Sequence, residues 1–513
     1  MGAVTISDRD FHELIAKRAQ AFLGLASYLS RCRSSSEFLI RPFLGEFFSQ
    51  ALQLEELLDA YDARNNCRWC AFRSLTAAIK LFSDVSYELL HIQHALPAYQ
   101  LLPIEHDFAQ ATRETLEFTG DIVCRAATRL LTRAGELGLP VPEQQVRWDA
   151  YCTELPAGRL PRDCSARRTG SASETVTLLA TAFLNLAAEG EDVRAASRAT
   201  PEQYASYVSD SVSEESLRSL ELRFHNLQSL YDTYVSGTEA ESRDTDLLVL
   251  RGHASVVFHL LKTATSFAHY YERHVNKPAC PVAVLQELLV RPEALLAILM
   301  NYSVTFISLY IGCAENLCRD MLQRYAEVGQ VEVPVPPYRG FHVRPATLIA
   351  KLVHHYGSKV RMRMGDEVYD ASSPLALFRA NEKINAQKRR CLATDIVHLG
   401  LAKEQEADSD IRAVVQTAAR ALAEQSGLVL YEQPLQLPAE LVPRGETRLE
   451  KVTDAMFQLL TMGKIDVAVD LTVTFVGDKR VLADIQLLAE SGYGEDNFGN
   501  NVPLPEKLAY LRR

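Results

Sequence analysis

Gly340-Phe341-His342-Val343-Arg344-Pro345-Ala346, continued by Thr347-Leu348-Ile349-Ala350-Lys351-Leu352-Val353, is the stretch on which the reading of this 513-residue chain turns. Gly340 can adopt backbone angles closed to residues with a Cβ. Pro345 suits a first helical turn, where its missing N–H is no loss, and the apolar residues beyond it recur at helical spacing. The sequence therefore places His342 on a short loop at the start of a helix. Unpaired N–H groups at a helix start bind anions, and the Arg344 guanidinium can grip a phosphate through two parallel hydrogen bonds. A neutral imidazole is a usable nucleophile near pH 7, so histidine, arginine and helix start together point to a phosphoryl group carried on histidine.

The downstream residues extend this into a small domain. Ser358 to Met364 alternates like a strand, Gly365-Asp366 is a turn, and Glu367 to Ala371 can return as the hairpin mate. Ser373 is placed as the N-cap of a helix with Pro374 at its first position, running through Leu375, Leu377 and Phe378. A strand at Asp395–Leu399 and a helix from about Asp410 to Glu424 follow, and a first strand lies near Val331–Val335. The order strand, helix, strand, strand, helix, strand, helix predicts an open-faced β-sandwich with helices on one face.

Over about residues 330–432 the chain resembles the histidine-containing phosphocarrier proteins (HPr) of the phosphoenolpyruvate-dependent phosphotransferase system. Their active-site pattern is Gly-Leu-His-x-Arg-Pro-Ala, matched here by Gly340 to Ala346 with Phe341 in the second place. The resemblance implies that His342 is phosphorylated through the ring nitrogen facing the helix, with Arg344 as phosphate partner. Gly340, Pro345 and Ala346 would support the pocket. Arg339, where the family has a small polar residue, would make that pocket more basic. The resemblance also implies a regulatory phosphorylation site at Ser373, for which a plain helix cap is the alternative. The implied partners are an enzyme I-like phosphodonor protein and a downstream phosphoacceptor or regulated protein, and the chemistry needs no metal or cofactor. The charged stretch Arg379 to Arg390 is longer than the family's connection. It keeps open a second function, a regulatory or adaptor protein that uses the HPr-like domain as a binding module.

The rest of the chain predicts a multidomain protein: a large all-α N-terminal region in two helical lobes (1–145 and 170–328), the HPr-like α/β sandwich (330–432) and a small α/β C-terminal segment (446–513). A net charge of −11 argues against general nucleic-acid binding. Ten scattered cysteines suit reduced thiols, and the N-terminus lacks an export signal, so a cytoplasmic location is expected. Ala294–Ala314 carries no charge but is interrupted by Asn301, Tyr302, Ser303, Thr305, Ser308 and Tyr310, and reads as a buried central helix rather than a membrane span. The helical region is read as an interaction scaffold and a candidate surface for self-association.

Secondary candidates are few. Cys67-Arg68-Trp69-Cys70 has metal or redox spacing without a second pair, and reads as core cysteines. His91 and His94 lack a carboxylate framework, and His269 and His274 sit in a charged, solvated-looking stretch. Thr447 to Leu460 reads as a helix. Ile465–Val476 reads as one strand, and Arg480–Leu488 as its antiparallel return. The glycine- and asparagine-rich end, Gly492–Asn501, reads as a loop over a site. Asp466, Asp470 and Asp484 could take a divalent cation if they converge, with a solvated sheet face as the alternative.

Overall fold

The computed structural model describes residues 5–142, 171–276, 288–400, 410–425, 427–432 and 434–511. The breaker-rich linker expected within 136–170 and the helix start expected at Val282 lie largely outside these residues. The chain forms two compact units, Met1–Met321 and Leu322–Arg513.

The first unit is helical. Its long helices are Arg41–Ala60, Cys70–Ala95, Phe108–Glu136, Glu214–Tyr234 and Asp246–Tyr270. Apolar residues at helical spacing bury one face of each, and aromatic rings fill the seams, as where Phe47 meets Phe22 and Phe43 at 5.2 and 5.4 Å. The uncharged stretch falls in Pro292–Arg324, the one helix among the described residues long and apolar enough to cross a membrane. Ile307, Ile311 and Ala314 on it are fully buried inside the unit, and its Tyr302 hydroxyl lies 3.1 Å from that of Thr112. Satisfied polar groups of this kind suit a helix inside a protein.

The second unit is built on an open four-stranded antiparallel sheet in the order β1-β6-β2-β3: β1 Val328–Pro334, β2 Arg361–Met364, β3 Glu367–Asp370 and β6 Thr472–Asp478. One face is buried through Val333, Met362, Val473 and Phe475, paired in register as Val333↔Val473 and Met362↔Phe475. Burying a phenylalanine contributes roughly 1.5–3 kcal/mol, so a one-residue slip that turned Phe475 to solvent would be heavily disfavoured. The helices Val343–Tyr356, Pro374–His398 and Lys479–Glu490 belong to this layer: the third contacts β1 and β6, the second β3, and the first both other helices.

Three expected elements are corrected. Asp395–Leu399 is not a strand but the end of the helix Pro374–His398, because Leu377, Asn381, Ile384, Lys388, Leu392 and Ile396 fall every three or four residues on one buried face. Arg480–Leu488 is a helix as well, capped by Asp478, whose carboxylate accepts the Arg480 N–H at 3.0 Å. Val481, Leu482, Ile485 and Leu488 form its buried stripe. The single strand Ile465–Val476 divides into β5, Ile465–Val467, and β6.

The division matters because β5 belongs elsewhere. It pairs with β4, Leu428–Leu430, in a separate two-stranded sheet. With the helices Ile411–Gln425 and Arg448–Thr461 this antiparallel strand pair forms a lobe between the second helix and the last strand of the main sheet. Its core gathers Val415, Leu422, Val452, Met456, Leu459 and Ile465 against Leu392 and Ile396. The second unit thus takes in both the 330–432 and the 446–513 stretches, and the main sheet is completed only by residues 472–478.

Candidate functional site

The loop entering the helix Val343–Tyr356 is held from three sides. Arg339 and Gly340 both take left-handed backbone angles, φ +51° and +62°. A Cβ on Gly340 would lie 2.5 Å from Asn381 Oδ1, the atom that accepts the Phe341 N–H at 2.8 Å, so only glycine fits. Phe341 is fully buried, edge-on to Tyr493. The Arg339 N–H donates to Asp466 Oδ2 at 3.1 Å. Asp466 is itself buried, accepting from Lys388 Nζ at 2.6 Å, Tyr431 Oη at 3.2 Å and the Val467 N–H at 2.7 Å. Lys388 is 2% exposed, so this ion pair lies inside the unit and ties the helix Pro374–His398 to β5, while the Arg339 N–H ties the loop to the same carboxylate.

His342 is the N-cap residue of the helix, in extended conformation, and its side chain makes no capping bond. Its Nε2 lies 2.8 and 2.9 Å from the two carboxylate oxygens of Glu495. The Glu495 side chain is 1% exposed, whereas that of His342 is 23% exposed. In a neutral ring the Nε2–H donates to the carboxylate and Nδ1 carries the lone pair. Tyr338 stands edge-on to the imidazole at 5.4 Å, backed by Tyr431 at 5.3 Å.

Glu495 is delivered by the loop that the sequence reading placed over a site. Tyr493, at φ +58° and fully buried, donates its hydroxyl to the Pro334 carbonyl at 2.6 Å. Glu495 forms a β-bridge with Asn501, and the Asp496 carboxylate accepts the Phe498 and Asn500 N–H groups at 2.8 and 2.9 Å. Gly494 brings the turn beside Arg344, since a Cβ there would lie 3.5 Å from Arg344 Nη2. No motif in the sequence singles out Glu495. Its mark in the sequence is an acidic pair, Glu495-Asp496, that follows the glycine-rich turn Gly492-Tyr493-Gly494.

The other residues singled out by sequence are placed as follows. Arg344 lies in the first turn, and its Nε is buried with no hydrogen-bond partner among the described residues. Pro345 and Ala346 are buried. The Arg339 guanidinium is taken up by the Gly463 carbonyl at 3.2 Å and the face of Tyr338. Ser373 caps its helix, accepting the Ala376 N–H at 3.2 Å. Asp466 and Asp484 do not converge. Asp484 accepts from the hydroxyls of Tyr356 and Tyr510, both at 2.8 Å, and pairs with Lys507. Cys67 is exposed and Cys70 buried, neither in a disulfide, and the Cys70 thiol donates to the Cys67 carbonyl.

Two histidines of the first unit, His253 and His259, are built into its interior. His259 Nδ1 meets Glu88 Oε2 at 2.8 Å, and Lys262 takes the other oxygen of that carboxylate. Burial alone would raise the Glu88 carboxyl, but the His259 hydrogen bond and the Lys262 ammonium outweigh it and hold the group at about 2. His91, whose Nδ1 lies 2.9 Å from Arg41 Nη2, is lowered to about 4 by burial and by the neighbouring His259. The pair His269 and His274, 5.7 Å apart, is less solvated than its sequence implied, for burial lowers His274 to about 3.

No protein-family model, curated protein or solved structure matched the chain.

Proposed function

We propose that the second unit is a histidine phosphocarrier of the HPr type, which accepts a phosphoryl group on His342 Nδ1 and passes it to a partner protein. The element order supports this: β1, helix, β2, β3, helix, β6, helix is the order expected of the carrier, with its last strand and helix at 472–490 after an inserted lobe. The observation that carries the reading is His342 at a helix start, its Nε2 occupied and its ring partly exposed, with Arg344 in the same first turn, its Nε buried and without a hydrogen-bond partner among the described residues. In-line attack by Nδ1 would place the phosphoryl oxygens near the Arg344 guanidinium and the free N–H groups of the first turn, which neutralise their charge. The donor would be a phosphohistidine on an enzyme I-like protein in the cytoplasm. A regulatory adaptor is the second reading, favoured by the inserted lobe with a core of its own.

Incubation with phosphoenolpyruvate and enzyme I, followed by acid-labile phosphate analysis, separates the two. Wild type is labelled and His342→Ala is not. Equal labelling of both removes His342 from the mechanism, and labelling of neither leaves the adaptor. Arg344→Ala is expected to take up phosphate about 100-fold more slowly with an unchanged circular dichroism spectrum. Loss of the folded signal would make Arg344 structural.

A further inference from the structure

We infer that Glu495 is the positioning residue for phosphoryl transfer at His342: its carboxylate holds the Nε2–H tautomer, presents Nδ1 as the nucleophile and stabilises the cation that the ring becomes once Nδ1 is phosphorylated. The inference rests on the carrier reading of the same site. Both carboxylate oxygens sit within 2.9 Å of Nε2, a contact made across 153 residues of chain. Among the described residues, His342 is the sole side chain that hydrogen-bonds or ion-pairs with the Glu495 carboxylate. A carboxylate 1% exposed is costly to bury without a partner, so the site is built around the contact rather than tolerant of it.

The loop geometry adds a second reason. Left-handed Tyr493 and Gly494, the Tyr493 hydroxyl bond to Pro334 and the Glu495–Asn501 bridge fix the backbone on both sides of the carboxylate. Such rigidity is what orients a ring to a few degrees, in the way a second carboxylate orients the histidine of a catalytic triad or a metal site.

The step balances without a proton leaving the site. The Nδ1 lone pair forms the N–P bond as the donor's bond to phosphorus breaks, and the donor keeps that electron pair. His342 retains its Nε2–H, so a neutral ring becomes a cation facing a carboxylate in a nearly water-free corner. The attraction exists after transfer and grows during it, which is the condition for lowering a barrier. Return of the phosphoryl group to an acceptor reverses each of these changes.

Phosphoramidate, a small N–P phosphodonor, tests this on the full chain without a partner protein. Wild type is expected to form phosphohistidine at Nδ1 of His342. Glu495→Gln should react about 10- to 100-fold more slowly and lose selectivity for Nδ1, because Nε2 is no longer reserved. A wild type that is labelled, with Glu495→Gln matching it in rate and isomer, overturns the role of Glu495 and leaves the carrier reading standing. A wild type unlabelled at His342 by phosphoramidate and by phosphorylated enzyme I overturns both. ¹⁵N spectra of His342 in unphosphorylated wild type need no variant: the Nε2–H tautomer is expected, and the Nδ1–H tautomer would refute the assignment.

Discussion

The two units each contain a histidine held by a glutamate at 2.8 Å, His259 with Glu88 and His342 with Glu495, and the resemblance ends at that distance. His259 is engaged through Nδ1, lies mid-helix among other helices, and shares its carboxylate with Lys262 and its face with His91. His342 is engaged through Nε2, stands at a helix start and keeps its ring partly exposed, and its carboxylate serves no other side chain among the described residues. A histidine–carboxylate pair is therefore not a functional signature. What separates the two is the second ring nitrogen and what lies beside it.

Each pair also stands near a lysine–carboxylate contact, and these give the sharpest ways to break the comparison. Lys388→Ala leaves Asp466 buried without its ammonium and should lower the stability of the second unit by about 3 to 5 kcal/mol, read as a fall in the denaturation midpoint. A change below about 1 kcal/mol would mean that the hydrogen bonds from Arg339, Tyr431 and Val467 suffice for Asp466. Glu88→Gln removes the charge-assisted bonds to His259 and Lys262 and should cost about 2 to 3 kcal/mol in the first unit. Trp69 is buried in the first unit and no tryptophan occurs in the sequence of the second, so tryptophan fluorescence follows that loss.

Acid should distinguish the units further. His91 and His274 titrate near 4 and 3 when folded, against an ordinary value of 6.5. The unfolded chain then binds more protons as pH falls below 6.5, so the first unit loses stability on acidification until both rings have titrated. Glu88, lowered from 4.5 to about 2, adds a loss that starts as pH falls through 4.5. The urea midpoint of tryptophan fluorescence should fall steadily from pH 7 to pH 4, and a midpoint constant over that range would contradict the buried neutral imidazoles. The smallest effect is at Ser373→Ala, about 1 kcal/mol from a lost cap, with phosphoryl uptake at His342 unchanged. Altered uptake would instead tie that cap to the His342 site.

Much of the local structure around His342 could be read in advance. The helix after Pro345, the Gly365-Asp366 turn and the Ser373 cap are each decided by neighbours within a few residues, where backbone sterics and capping bonds act. The readings that failed were those in which alternation and helical spacing compete. Arg480–Leu488 and Asp395–Leu399 contain enough apolar residues for either period, and only the surface each segment meets selects one. Asp466 shows the same limit: three aspartates in a strand-rich tail suggested a cation, yet a lysine 78 residues away in the chain neutralises the first of them.

The sequence by itself determined that a histidine stands at a helix start with an arginine two residues on, because Gly340 and Pro345 act through local geometry alone. Tertiary structure decided which strand completes the sheet and which nitrogen of His342 is free. A carboxylate 153 residues downstream settles the second point, and no local rule connects Glu495 to that ring until the fold has excluded water from between them.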